Sequence, residues 1–253
     1  MAESKTKVIK GELVLLLGEE SILTRADGKL HTRFGVLDLE KELEWGEEVK
    51  THIGKSFRVA KPYLVDFLMK RGIKRKTQVL YPKDLSLILA YTTPPPDALI
   101  VDCGLGSGFS SMFLAHYCPQ GKIVAYERDR ENIKLALENI KKWGFENIEI
   151  KERDIFEGVD ERDADLFILD MKGAEDAVKI AKESLKIGGW LAVCSPYVEQ
   201  MMACVERMRE LGFLEMKTVE NLVREWDVRK FGHTLPQRWG NIHTVFITIG
   251  RRG

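Results

Sequence analysis

The spacing of apolar positions changes character near residue 60. Between Val8 and Phe57 they fall in short runs, Leu13 to Leu17 and Ser21 to Arg25, punctuated by Gly18, Gly28, Gly35, Gly46 and Gly54. Turns at that density, with no long helical stripe, predict a small β-rich module. From Pro62 the pattern becomes helical, with one helix expected over residues 62–71 and another over 83–91. The segment Thr93-Pro-Pro-Pro-Asp97 stops the second, because proline lacks a backbone donor and keeps the residue before it out of helical geometry.

Beyond the prolines, strands and helices alternate. Apolar runs at 98–103, 122–127, 148–153, 165–170 and 190–195 predict strands, and 107–118, 130–144, 174–185 and 199–211 predict helices. Ile133, Leu137 and Ile140 fall on one face of the second of these helices, and Gly188-Gly189 is the expected stop of the third. Segments 215–222 and 243–249 complete the series as β structure, with His243 read as structural within an apolar run. Such alternation predicts an α/β fold with a doubly wound, mostly parallel sheet covered on both faces. The expected division is a β-rich domain over 1–60 and an α/β domain over 61–253.

Charge narrows the function. The 253 residues carry 39 Lys and Arg against 39 Asp and Glu. A chain built only to hold nucleic acid shows a basic excess, so any RNA contact has to come from local patches or from assembly of several subunits. Two patches qualify. One is Lys70, Arg71, Lys74, Arg75 and Lys76; the other, basic and aromatic, is Trp226, Arg229, Lys230, His233, Arg238 and Trp239. The first is equally well read as a solvated linker, the second as a subunit contact. Cys103, Cys118, Cys194 and Cys204 form no CxxC pair and sit among apolar neighbours, as reduced buried thiols do. No run has the length of a membrane span or a signal core, so a soluble, cytoplasmic protein with no membrane partner is expected.

The chemistry concentrates at Asp102-Cys-Gly104-Leu-Gly106-Ser107-Gly108. Glycines there let a ligand approach the backbone and allow positive φ. The third glycine arrives one residue too early for the dinucleotide fingerprint G-x-G-x-x-G. Asp102 would repel a pyrophosphate and attract an ammonium group. Glu127 ends the next strand, where a carboxylate can accept from ribose hydroxyls, and Asp154 closes the third, suited to an adenine amino group. Each acid alone could be a solvated strand end; three at successive strand ends point to S-adenosyl-L-methionine as cofactor. Asp170 ends the fourth strand and faces the same crevice. It is either an acceptor-orienting carboxylate or a cap on the following helix.

With these residues in view, the chain resembles the tRNA (adenine-N1)-methyltransferases that act on the T-loop. The resemblance spans nearly the whole length: His31-Thr-Arg-Phe-Gly-Val-Leu-Asp38, Glu48-Val-Lys-Thr-His-Ile-Gly54, Thr77-Gln-Val-Leu-Tyr-Pro-Lys-Asp84 and Ile242-His-Thr-Val-Phe246. It implies a Rossmann-like class I methyltransferase fold, tRNA as partner and a homotetramer. It also implies cofactor contacts from Gln78, from Gly106 to Phe109, and from Glu127, Asn132, Asp154 and Ile155, with Asp170 catalytic and at the cofactor. The chain departs from that family's Leu-Pro and second proline after the aspartate, having Met171-Lys-Gly-Ala174, and it has Leu235 before Pro236. Two other readings are a carboxyl methyltransferase of the isoaspartate-repair type and a non-catalytic paralogue that binds cofactor or RNA.

Overall fold

Turn glycines cut the first part of the chain into short strands. The computed structural model describes residues 7–70, 72–228, 235–236 and 243–253. It divides into two compact units, Met1–Lys74 and Arg75–Gly253. The first contains β1 (Leu13–Leu17), β2 (Ile22–Arg25), β3 (Lys29–Thr32), β4 (Gly35–Asp38), β5 (Glu48–Lys50), β6 (Ser56–Ala60) and α1 (Leu64–Met69). An antiparallel sheet of order β2-β1-β6-β5 and the hairpin β3-β4 enclose Val14, Leu16, Leu37, Val49, Phe57 and Val59. The unit runs past residue 60 because α1 and its exit pack within it. A Cβ on Gly72 would overlap the Phe67 carbonyl and lie 2.7 Å from the Leu23 side chain of β2.

The second unit contains α2 (Pro82–Thr92), β7 (Leu99–Cys103), α3 (Phe109–Tyr117), β8 (Lys122–Glu127), α4 (Arg130–Trp143), β9 (Ile148–Glu152) and β10 (Ala164–Leu169). It continues with α5 (Ala174–Ser184), β11 (Leu185–Ser195), α6 (Val198–Glu210), β12 (Phe213–Glu220), the short pair β13 (Trp226–Asp227) and β14 (Leu235–Pro236), and β15 (Phe246–Arg252). Seven strands form one sheet in the order β12-β15-β11-β10-β7-β8-β9, parallel except for β15, which runs against both β11 and β12. Ile100, Val101, Phe167, Ile168, Leu191 and Val193 are fully buried along its central strands. The chain moves one way from β7 through β8 to β9, then returns to the other side of β7 for β10 and β11. Strand ends at such a reversal leave a crevice where open α/β sheets bind ligands.

Three local expectations are corrected. The helix α5 stops at Ser184, where Leu185 turns extended, and does not run on to the glycines. Gly188 and Gly189 lie inside β11 instead. Between the pairs Ala164–Leu185 and Leu166–Trp190 the register shifts, and a Cβ on Gly189 would stand 2.8 Å from the Ala164 carbonyl oxygen. The buried face of α4 is Ala136, Asn139 and Ile140, while Leu137 is 52% exposed. The last strand begins at Phe246, so His243 lies on its approach. Of the second basic and aromatic patch, Arg229, Lys230, His233, Arg238 and Trp239 lie outside the described residues, as does Arg71 of the first. The four cysteines are buried and unbridged, as expected.

A buried polar knot joins α2 to the sheet. Asp84 is fully buried. Its carboxylate accepts from Lys83 Nζ at 2.7 Å and from Thr244 Oγ1 at 2.9 Å. Lys83 Nζ also donates to the Asn221 carbonyl at 2.7 Å, and Asn221 Nδ2 returns a bond to the Lys83 carbonyl at 2.6 Å. Removing the carboxylate takes an acceptor from both the half-buried Lys83 and Thr244, so Asp84→Ala is expected to destabilise the protein by about 2–4 kcal/mol. Asp84→Asn, which keeps an acceptor, should cost less. Urea denaturation of the three proteins checks both the size and the order.

Candidate active site

Adjacent parallel strands bring the ends of β7 and β10 together. Asp170 N donates to the Cys103 carbonyl at 2.9 Å, which carries the ladder one residue beyond β10. Gly104 then turns away with φ +99°, and a Cβ there would fall on the Asp170 carbonyl group. Glycine is therefore required at 104 by both space and backbone angle. Gly108 caps the start of α3 with φ +79°, and a Cβ there would meet Ala136 of α4 at 3.3 Å. The turn lies under a recess of about 280 Å³ lined by Gln78, Gly104, Gly106, Ser107, Phe109, Glu127, Asn132 and Asp170 among others.

The three expected cofactor acids do not stand alike. Glu127 faces the recess and is pinned: Oε2 accepts from Gly106 N at 3.2 Å and Asn132 Nδ2 at 3.4 Å, and Oε1 from the amides of Arg128 and Asp129, both at 2.9 Å. Asp102 lies beneath the lining, fully buried on β7. Its Oδ2 accepts from Ser110 Oγ at 2.8 Å and Ser111 Oγ at 2.6 Å, while Oδ1 has no partner among the described residues. Burial pushes its carboxyl up from the ordinary range, and the two serine bonds oppose that. Asp154 is engaged at the end of β9. It caps the short turn Ile155–Glu157 through the Phe156 amide at 3.1 Å and pairs with Arg128 Nη1 at 2.7 Å, which holds its carboxyl below the usual value. Asp154 and the buried Ile155 lie outside the wall of this recess.

Asp170 borders a second, larger recess of about 760 Å³ on the other side of β10. Asp170 and Met171 line both recesses. The carboxyl does not cap α5, whose N-cap is Gly173 with no side-chain bond. Packed strand ends strip Asp170 of water and Asp102 adds like charge, so its pKa is pushed up to about 7. Beyond it, Lys172, Cys194, Pro196, Tyr197 and Gln200 line the larger recess. The loop after Asp170 lacks stiffening prolines, yet it is tied down: Gln200 Nε2 of α6 donates to the Met171 carbonyl at 3.0 Å. No spacing in the sequence links Gln200 to Asp170. Only the packing of α6 beside α5 brings them to one wall.

The site fits S-adenosyl-L-methionine on three observations: a glycine turn that leaves room at the backbone, a fixed carboxylate at Glu127, and a buried unpartnered oxygen on Asp102. The seven-stranded sheet with its single reversed strand is the core of a class I methyltransferase. A S-adenosylmethionine-dependent O-methyltransferase from Thermotoga maritima superposes with a TM-score of 0.88 at 33% identity, over 97% of this chain and 94% of that one. The tRNA (m1A58) methyltransferase TrmI of Aquifex aeolicus shares the fold, with a TM-score of 0.84 at 23% identity over 97% and 98% of the two chains. Residues 67–241 match the family described as tRNA methyltransferase complex GCD14 subunit, and the chain belongs to that family. A relative in Methanocaldococcus jannaschii, tRNA (adenine(57)-N(1)/adenine(58)-N(1))-methyltransferase TrmI, is 29% identical over 92% of each chain. One in Thermus thermophilus, tRNA (adenine(58)-N(1))-methyltransferase TrmI, is 28% identical over 91% of each.

The raised pKa of Asp170 makes a stability statement. The unfolded chain ionises this carboxyl near pH 4, the folded protein near pH 7. Its ionisation therefore weighs against the fold increasingly from pH 4 to 7 and fully above that. Asp170→Asn is expected to be more stable than the parent by on the order of 2–4 kcal/mol at pH 8, with the gap closing at pH 4. Equal gaps at the two pH values in urea denaturation would exclude this.

Proposed function

We propose that the protein transfers the methyl group of S-adenosyl-L-methionine to N1 of adenine in the T-loop of tRNA, at position 58, or at 57 and 58 as the names of its relatives describe. The carrying observation is the place of Asp170 in the wall between a glycine-floored recess and a larger one. Gln78, the turn Gly104 to Phe109, Glu127 and Asn132 are read as holding the cofactor, with Asp154 and Ile155 meeting its adenine end. Bound there, the cofactor supplies an electrophilic methyl on a sulfonium.

The remaining chemistry belongs to the chain. Methyl transfer is an in-line displacement, so the enzyme's task is alignment. As a carboxylate, Asp170 accepts a hydrogen bond from the exocyclic amino group of the base in the larger recess. That orients the ring and stabilises the positive charge growing on it. Met171, fixed by Gln200, forms the floor on which the base rests. Packed strand ends take part of the solvent from Asp170, which strengthens its interaction with developing charge.

A homotetramer in the cytoplasm is the assembly this reading favours. Support comes from Leu222, Val223, Trp226 and Val228, which are all more than half exposed after β12. Among the described residues no helix is long and apolar enough to cross a membrane.

Incubation with labelled cofactor and unmodified tRNA, followed by nucleoside digestion, should yield 1-methyladenosine. Label on isoaspartyl peptide instead would favour the carboxyl methyltransferase reading, and cofactor binding without transfer the non-catalytic one. Asp170→Ala is expected to lower kcat by about a hundred-fold or more while the cofactor Kd stays within a few-fold. Equal losses in both would place that carboxylate in cofactor binding alone.

A further inference from the structure

Both ring nitrogens of His243 face hydrogen-bond acceptors. Nδ1 lies 2.5 Å from Glu220 Oε1 at the end of β12, and Nε2 lies 2.9 Å from the carbonyl oxygen of Pro196. A carbonyl can only accept, and so can a carboxylate. Two protons are thus needed between the ring and Glu220, and imidazole is the stronger base. We propose that His243 is a positioning residue which, as an imidazolium, staples the Pro196 turn and so sets the wall of the acceptor recess. The consequence for catalysis rests on the RNA reading above.

Pro196 sits between the end of β11 and the N-cap of α6, Tyr197, and both residues line the larger recess. Proline offers no N–H, so its carbonyl is the one backbone handle by which that residue can be held. The groups around the ring favour the charged form on balance. Glu220 from β12 and the Pro196 carbonyl raise the His243 pKa above 6.5, while partial burial and Lys83 from α2 lower it. On its own segment the ring packs at a tilt of 42° against Phe246, with centroids 4.4 Å apart. Thr244 next to it is fixed by Lys83 and Asp84, so the ring is delivered from an anchored backbone.

Loss of one proton leaves one donor for two acceptors. The carboxylate is the stronger acceptor and keeps it, so the Nε2 lone pair is turned on the Pro196 carbonyl. The staple opens on the side of the recess. This gives a signature distinct from Asp170, whose pKa is pushed up to about 7. Asp170 acts on the chemical step and appears in kcat, whereas the His243 staple shapes the wall that receives the acceptor and appears in KM for RNA.

The test is a pH series on the full-length protein. The His243 ring and the Tyr197 amide, which shares a peptide group with the Pro196 carbonyl, are followed by nitrogen-15 NMR. Steady-state kinetics with unmodified tRNA run in parallel. The Tyr197 amide is expected to shift with the midpoint of His243, and KM for tRNA to rise by about ten-fold through that midpoint, the scale of one charge-assisted hydrogen bond. Cofactor Kd should change less than two-fold. Glu220→Gln removes the flanking carboxylate and should move the NMR and KM midpoints together to lower pH. A Tyr197 amide indifferent to the His243 titration overturns the proposal, as does a KM midpoint that stays put when the NMR midpoint moves. If no tRNA is methylated at any pH, the Tyr197 titration still decides the staple, and the failure belongs to the RNA reading.

Discussion

The contact between β7 and β10 at their C-terminal ends governs what the site can be. Where Asp170 N meets the Cys103 carbonyl, the backbone is so close that residue 104 has room for no side chain. That closeness fixes the glycine turn on one side and the Asp170 carboxyl on the other as parts of a single wall. It also removes water from a carboxyl with another acid, Asp102, nearby. The geometry that places Asp170 between two recesses is therefore the same geometry that raises its pKa. Position and protonation cannot be tuned separately here.

Around that contact, hold-down bonds arrive from distant parts of the second unit. Gln200 secures the Met171 carbonyl from α6, and His243 holds Pro196 from the approach to β15. Lys83 and Asp84 lock the start of α2 to the residue after His243. The bonds end on backbone carbonyls, the Thr244 hydroxyl and the buried Asp84 carboxylate, groups that are costly to leave unpaired. The wall of the larger recess is thus stiffened by a side-chain amide and an imidazole ring.

How much of this was legible depended on range. The placing of Gly104 to Gly108 and Glu127 at one recess was legible because strand, turn and helix succeed one another within a few residues, whereas Asp154, also at a strand end, lies outside its wall. The sheet followed from alternation. The extent of α5 was overread because the helical pattern carries on through Leu185, while the sheet takes that residue as a strand through its pairing with Ala164. Leu137 was misplaced because periodicity marks an apolar stripe but not how wide a face the sheet covers. The boundary at residue 60 came from the change in apolar spacing, whereas the first compact unit extends to Lys74, with Gly72 packed against Phe67 and Leu23. His243 read as structural because its two partners, Glu220 and Pro196, are 23 and 47 residues away. Nothing local could reveal that both are acceptors.

The unpartnered oxygen of Asp102 and the crowded carboxyl of Asp170 have a consequence for turnover. Ionised, these two acids favour a positive centre beside them over a neutral one of the same shape. In the proposed reaction the donor arrives cationic at sulfur and leaves as an uncharged thioether. The transfer thus carries the positive centre from sulfur to the ring that Asp170 orients, where that carboxylate meets it.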